Sequence, residues 1–341
     1  MRHTTVRFGL AAPLLAFGFA CGSGPPPAGA PATPAGPLAV DPALAAPTGG
    51  LAALAAANRP LLVAADPDAA PFLSKTASGF EGFEYALAEA IAATAGLKVE
   101  VVSATFSELP AAVTSGRADL AIGQISPSSA YDGLAWSVSY LQYSLCLITP
   151  TGSPLKKMPD LKGKTVGMYD DPVARQLTSV LVGATYESVI FEDYGYFEKM
   201  VRGQLDAMVY DCPLARYEMK MYGDKLHIAD DALNITTYNV AVRKDDPKLL
   251  SDVNGALKSL GEQGLLATLE QRWLGESART GSYETAAGRV VVVGKGESLS
   301  MIAGRELGSV EKWKALYEAN RDVVGPDPDV VYAGMRLRVP K

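Results

Sequence analysis

Leu61-Leu62-Val63-Ala64-Ala65, Phe83 to Thr94 and Lys98 to Val102 are the segments on which the fold of this chain turns. The first is a short apolar run stopped by Asp66-Pro67, the pattern of a buried strand entering a loop. The second repeats its apolar residues at helical spacing and stops at Gly96. The third alternates, which predicts another strand. Strand, helix and strand in that order form a βαβ unit and predict a largely parallel sheet. The alternation resumes beyond Pro150. Lys164 to Met168, Gln204 to Tyr210 and Asn239 to Val242 read as strands, Val173 to Val182 as a helix, and Pro247 to Trp273 as one or two amphipathic helices. Two α/β lobes accommodate this order.

Outward from this body the composition changes twice. From Gly22 to about Gly50 the chain is mostly Pro, Ala and Gly, too poor in apolar surface to fold, so residues 22–57 read as a flexible spacer. Before it come a basic start (Arg2, Arg7), an apolar stretch from Phe8 to Ala20 and small residues beside Cys21, the layout of a secretory signal over residues 1–21. The stretch is short for a mature membrane-spanning helix. Cys21-Gly22-Ser23-Gly24 resembles a bacterial lipoprotein processing site, which implies lipidation of Cys21, although Gly18 and Phe19 depart from the usual pattern. Cleavage by the ordinary signal peptidase is the alternative. Past the lobes, residues 276–288 turn small and polar as a second linker, and residues 289–341 form a separate unit.

A chain of 341 residues suits two folded units large enough to bury their own cores. With a net charge of -6 and scattered Lys and Arg, it has no sustained basic face, so nucleic acid is not an expected partner. His3 and His227 are the only histidines, and His3 lies in the signal. That argues against a multi-histidine metal site, and no metal or cofactor is expected. His227, inside Lys225-Leu226-His227-Ile228, reads as a structural residue of a strand. Cys146 and Cys212 are exported together, which permits a disulfide, but two buried free thiols are the favoured reading.

The stretch from Arg59 to Gly275 carries an ordered series of motifs. They are Ala65-Asp66-Pro67 with Pro71-Phe72, Gly82-Phe83-Glu84, Ser115-Gly116-Arg117-Ala118-Asp119-Leu120, Asp160 to Gly167, Gly203 to Ala207 with Asp211, Ala241 to Pro247, and Gly264 to Gly275. In this series the chain resembles the periplasmic solute-binding proteins of the polar amino acid type, bacterial extracellular family 3. The resemblance implies the two-lobed periplasmic-binding-protein fold of type II over residues 58–275. Lobe 1 would comprise about 58–149 and 238–275, and lobe 2 about 150–237. Hinge crossings would lie near Leu147 to Pro150 and Thr236 to Val240, with the lobes closing over a ligand.

It also implies ligand contacts from Asp66, Phe72, Ser126, Ser128, Tyr131, Tyr169, Asp171 and Asp211. Asp66 and Asp211 match the family's ligand-facing acids. Tyr131 stands where the family has an arginine that clamps the α-carboxylate, and Asp171-Pro172-Val173 replaces a Gly-Thr-Thr turn that offers backbone N–H groups. Proline has no N–H to donate, and losing a charge-assisted partner costs a ligand carboxylate about 1.5 to 3 kcal/mol. Acids and phenols, including Asp170, therefore predict an amine, a cation or a neutral polar solute over a free amino acid. Tyr194 and Tyr196 add aromatic surface in lobe 2, as rim or as packing.

Residues 289–341 read as strand, helix, helix, strand, with Ser298 as a helix cap. Gly296-Glu297-Ser298-Leu299-Ser300 with Ile302-Ala303, Tyr317-Glu318-Ala319-Asn320 and Val331 to Pro340 are similar to a LysM domain, a small α+β (βααβ) fold. The resemblance implies binding of N-acetylglucosamine-containing glycans such as peptidoglycan. Gly296, Glu297, Ser298 and Leu299 in one loop, and Val331, Tyr332 and Gly334 in the other, would make the groove. Trp313 and Tyr317 read as core. The expected function is a non-enzymatic, envelope-tethered receptor, lipid-anchored in the periplasm, that hands a small solute to a membrane permease of the ABC type. The alternatives are a wall sensor binding muropeptides in its cleft and a carboxylate-dependent dehydratase-like enzyme.

Overall fold

The computed structural model describes residues 48–169, 185–189, 195–230, 233, 236–275, 282–285, 288–294 and 296–341. Cys21, Asp170, Asp171, Tyr194 and the helix expected over Val173 to Val182 lie outside them, as does the side chain of Tyr169.

The first lobe is a five-stranded sheet in the order β5-β1-β6-β13-β7. Its strands are β1 (Leu61–Ala65), β5 (Val99–Ser103), β6 (Leu120–Ala121), β7 (Leu134–Tyr143) and β13 (Thr236–Arg243). β5, β1 and β6 are parallel, whereas β13 runs against β6 and β7 against β13. Short strands β2 (Asp68–Ala69), β3 (Leu73–Thr76) and β4 (Gly79–Glu81) form a small antiparallel sheet after β1. Helix α2 (Phe83–Ala93) lays Phe83, Leu87 and Ile91 on one buried stripe, every fourth residue as an amphipathic helix requires. Helices α6 (Pro247–Glu262) and α7 (Leu265–Leu274) return to this lobe. Asp246 caps α6 by accepting from Leu249 N at 3.1 Å, and Gly264, at φ 75°, breaks α6 from α7.

The second lobe is a sheet in the order β10-β9-β11-β8-β12. It contains β8 (Leu145–Pro150), β9 (Thr165–Tyr169), β10 (Thr185–Val189), β11 (Ala207–Asp211) and β12 (Leu226–Asp230). Between them lie α4 (Tyr196–Val201) and α5 (Cys212–Glu218). Helix α3 (Leu109–Thr114) belongs to the first lobe, where it packs between β1, β6 and β13.

One device ties the strands in both lobes. Asp119 N donates to Leu62 O, and the Asp119 carboxylate accepts from Leu62 N, both at 2.9 Å. In lobe 2, Asp206 N donates to Thr165 O at 2.9 Å and its carboxylate accepts from Thr165 N at 2.8 Å. Each aspartate is also paired with a cation just upstream of the strand it holds, Arg59 at 2.7 Å and Lys164 at 3.8 Å. The recurring Gly-x-x-Asp motifs are thus strand latches.

Four expectations change. The first crossing lies at Ser144, earlier than Leu147, because Leu145 already pairs with Asp211 in lobe 2 while Tyr143 still pairs with Thr236 in lobe 1. An uninterrupted apolar run carries no mark of where it changes partner sheet. Cys146 and Cys212 are bonded to each other rather than free: β8 and β11 pair at Cys146 and Tyr210, bringing Cys212 within 5.1 Å, Cα to Cα. The spacer ends early, since α1 (Leu51–Ala56) folds onto lobe 1 with Leu51 and Leu54 buried and Leu51 N donating to Asp252 at 2.9 Å. The second linker is partly ordered too, with β14 (Ser282–Thr285) paired antiparallel to β15 (Gly288–Val292).

The C-terminal module continues with α8 (Leu299–Leu307), α9 (Trp313–Glu318), α10 (Arg321–Val324) and β16 (Arg336–Arg338), the last pairing with β15. It does not stand apart from the lobes. The Tyr332 hydroxyl donates to Ser139 O on edge strand β7, and the Gln142 side chain bonds both the N and the O of Arg336. Arg336 also reaches Gln142 O at 2.8 Å and Glu270 on α7 at 3.6 Å. Gly261 makes room for this contact, because a Cβ there would lie 2.3 Å from the Tyr332 ring. The module therefore covers the edge of the lobe 1 sheet, a position that would otherwise expose unpaired backbone groups.

Candidate functional site

Ligands of open α/β sheets bind beyond the carboxyl ends of parallel strands. Asp66 follows β1, the loop from Gln124 to Tyr131 follows β6, and Asp211 ends β11. Behind Asp211 lies a buried aromatic cluster of lobe 1. The rings of Tyr143 and Tyr238 lie 4.0 Å apart, Phe72 meets Tyr238 edge-on at 5.7 Å, and Tyr140 and Phe83 continue the cluster at 6.2 Å. The Tyr238 hydroxyl donates to Asp211, so a hinge strand of lobe 1 bonds the acid of lobe 2. Burial and the adjacent Asp211 charge push the Tyr238 hydroxyl well above the usual tyrosine range, keeping it a donor. Ser126 Oγ donates to Thr237 O at 2.8 Å and lies 3.4 Å from the Tyr143 hydroxyl.

Beside this cluster Glu84 is buried and accepts three bonds, from Tyr140 OH at 2.5 Å and from Gln124 N and Nε2 at 2.8 Å each. Burial outweighs those donors and, with the Asp66 charge helping, raises the carboxyl to about 7. Gln124 takes a left-handed backbone, φ 51°, to present both its groups to Glu84. The bond pair thus sets the start of the loop that carries Ser126 and Ser128.

The predicted residues separate into groups. Asp66, Ser126 and Asp211 lie at the carboxyl ends of the strands. Asp66 Oδ1 also accepts from Asp68 N at 3.0 Å, shaping its own turn. Ser128 Oγ accepts from Ala130 N at 3.1 Å, in the same loop as Tyr131, whose ring packs 5.9 Å from Trp136 on lobe 1. Phe72 is fully buried in the same aromatic cluster, against Phe83 and Tyr238. Tyr196 is packing, buried with its hydroxyl 2.7 Å from Tyr210 and 2.6 Å from Glu218. His227 Nδ1 lies 3.4 Å from Thr149 Oγ1 between neighbouring strands. Sequence alone assigned no site role to Glu84, Gln124, Tyr143 or Tyr238, although Glu84 stood in the Gly82-Phe83-Glu84 motif and tyrosines are dense from Tyr140 to Tyr143 within an apolar strand.

Residues 61–276 match the model of the bacterial extracellular solute-binding proteins, family 3. The chain belongs to that family. The L-cystine-binding protein TcyJ of Escherichia coli K12 is 27% identical over 227 residues, covering 63% of this chain and 82% of TcyJ. The arginine-binding extracellular protein ArtP of Bacillus subtilis is 26% identical over 231 residues, covering 63% of this chain and 86% of ArtP. Among solved structures, the ancestral amino acid-binding protein AncCDT-1, a precursor of cyclohexadienyl dehydratase, superposes with a TM-score of 0.57 at 27% identity. It covers 66% of this chain and 99% of its own.

The family match ends before the C-terminal module, which holds a second candidate site. A groove of about 310 Å³ is lined by Gly296 to Ser300, Trp313, Pro328, Asp329, Val331 and Tyr332 of the module, and by Lys258 and Glu262 of α6. It joins the two loops singled out in the sequence. Gly296, at φ 75°, is exposed, and the Glu297 carboxylate accepts from Gly294 N at 2.7 Å and pairs with Arg305. Ser298 caps α8 through Met301 N at 3.3 Å, and Leu299 and Val331 are buried. Gly334, at φ 96°, bonds Val293 O through its N–H at 2.8 Å, which fixes the second loop to β15. Tyr332 lines the groove and also docks the module, its ring packed against Gly261. Tyr317 is core, donating to Gly325 O at 3.0 Å, but Trp313 is half-buried and faces the groove. Among the described residues no helix is long and apolar enough to cross a membrane, and no group of three or more His, Cys, Asp or Glu is placed to hold a metal ion.

Proposed function

We propose that this chain is the receptor of an ABC-type uptake system, capturing a small amine-bearing or cationic solute between its lobes. The carrying observation is Asp211 at the end of β11, hydrogen-bonded by Tyr238 of the opposite lobe. A ligand amine that takes this carboxylate from the Tyr238 hydroxyl, while meeting the Asp66 and Ser126 loops of lobe 1, would contact both lobes, the condition for ligand-driven closure. Cystine and arginine, the solutes for which two relatives are named, carry amines, which fits retention of the acid. Tyr131, packed on Trp136, offers no substitute for a guanidinium, so the amine rather than the carboxylate end is the recognised group. In the same reading Cys21 is lipidated, the protein sits in the periplasm on a membrane, and the C-terminal module is a LysM-type domain holding peptidoglycan.

The test is a thermal-shift and calorimetric screen of arginine, cystine, polyamines, neutral sugars and muropeptides against wild type and Asp211→Ala. A ligand at a hundred times its dissociation constant should stabilise the protein by about 2.7 kcal/mol. Binding of an amine that Asp211→Ala abolishes supports the proposal. Amine binding that survives the substitution refutes the role of Asp211. A response to muropeptides alone favours the wall-sensor reading, which the docking of the module on hinge-leading strand β7 makes the second choice.

A further inference from the structure

The seam between α6 and the C-terminal module holds two grooves, not one. The first, of about 310 Å³, has Ser298 and Trp313 on the module side and Lys258 and Glu262 on the α6 side. The second, of about 380 Å³, lies further along α6, between Ser251 and Asn254 on the helix and Asp327 and Val330 on the module. Lys258 lines both, and its ammonium donates to Asp329 O at 3.2 Å across the seam where the two meet. Each groove lies in the range of small-molecule sites, and placed end to end they outline a track longer than one sugar.

The lining narrows the class of occupant. A half-buried indole beside hydroxyl and carboxylate groups suits a pyranose, which has an apolar face and a polar edge. Lys258 and Glu262, one helical turn apart on α6, place a cation and an anion on the same wall. That pairing suits a glycan whose sugars carry peptides with free carboxylates and amines better than an unsubstituted one. We infer that α6 of lobe 1 is the second wall of the glycan site, so that a peptide-bearing glycan strand is gripped jointly by the module and the solute-binding lobe. This rests on the glycan-binding reading of the module. It also means that the wall holds lobe 1, leaving lobe 2 to move.

The experiment measures binding of the full-length protein to soluble peptidoglycan fragments of several disaccharides bearing stem peptides, beside N-acetylglucosamine oligomers of the same length. The variants are Lys258→Ala, Glu262→Arg and, as a control on the module, Trp313→Ala. Glu262 is exposed, and no hydrogen bond or ion pair among the described residues ties it to the module, so its variant should keep the wild-type melting temperature. Glu262→Arg and Lys258→Ala are each expected to weaken peptide-bearing glycan about ten-fold, close to 1.4 kcal/mol, with a smaller effect on the bare oligomers. Wild-type affinity in Glu262→Arg overturns the inference, even if Lys258→Ala is weaker, because Lys258 would then act only by holding the seam. In that outcome loss of binding in Trp313→Ala leaves the glycan reading of the module standing. If wild type binds neither glycan, the glycan reading fails and the inference with it.

Discussion

Glu84→Gln should remove a pH dependence of stability that the wild type carries. In the fold the carboxyl is buried and raised from 4.5 to about 7, chiefly by burial. Between those values the native protein keeps a proton that the unfolded chain has released. Stability from this group is therefore fully present below pH 4.5 and lost as pH rises through about 7. At about 1.4 kcal/mol per pH unit the loss amounts to about 3 kcal/mol. Glutamine cannot titrate, and the cost of turning its amide against the donors of Gln124 and Tyr140 does not vary with pH. Urea unfolding of both proteins from pH 4 to 8 isolates the effect, because the other titrating groups cancel in the difference. The variant should gain about 3 kcal/mol on the wild type across that range. A difference that stays flat with pH would refute the reasoning and mean that the three hydrogen bonds hold the carboxylate ionised throughout.

Three further outcomes follow from the packing. Reduction of Cys146–Cys212, which closes a loop of sequence separation 66, should cost up to about 4 kcal/mol by loop entropy, read as a lower urea midpoint in reductant; an unchanged midpoint would refute it. Asp119→Ala should destabilise by about 2 to 4 kcal/mol, more than Asp206→Ala, because Asp119 is buried with its cation at 2.7 Å and Asp206 is half-exposed with its cation at 3.8 Å; equal midpoints would contradict this. Gly261→Ala should drive a methyl into the Tyr332 ring and loosen the module, costing about 1 to 3 kcal/mol. Limited proteolysis should then release the C-terminal fragment faster than from wild type.

Much of this protein was legible locally. Apolar spacing along Leu61 to Ala65, Phe83 to Thr94 and Pro247 to Trp273 in the first lobe, and along Lys164 to Met168 and Gln204 to Tyr210 in the second, determined two α/β lobes, since period is a property of neighbouring residues and of the face they must bury. The Gly-x-x-Asp motifs and the acids at strand ends were equally readable, although not the latches they form. Tertiary structure alone decided the rest. The crossing at Ser144 depends on which sheet Leu145 joins, and the disulfide depends on β8 lying beside β11. Glu84 becomes a titrating group only because Gln124 and Tyr140 enclose it. The docked module rests on pairs such as Tyr332 and Ser139, separated by 193 residues. Partners so distant leave no periodic trace in the chain, because each is chosen by packing after the local elements have formed.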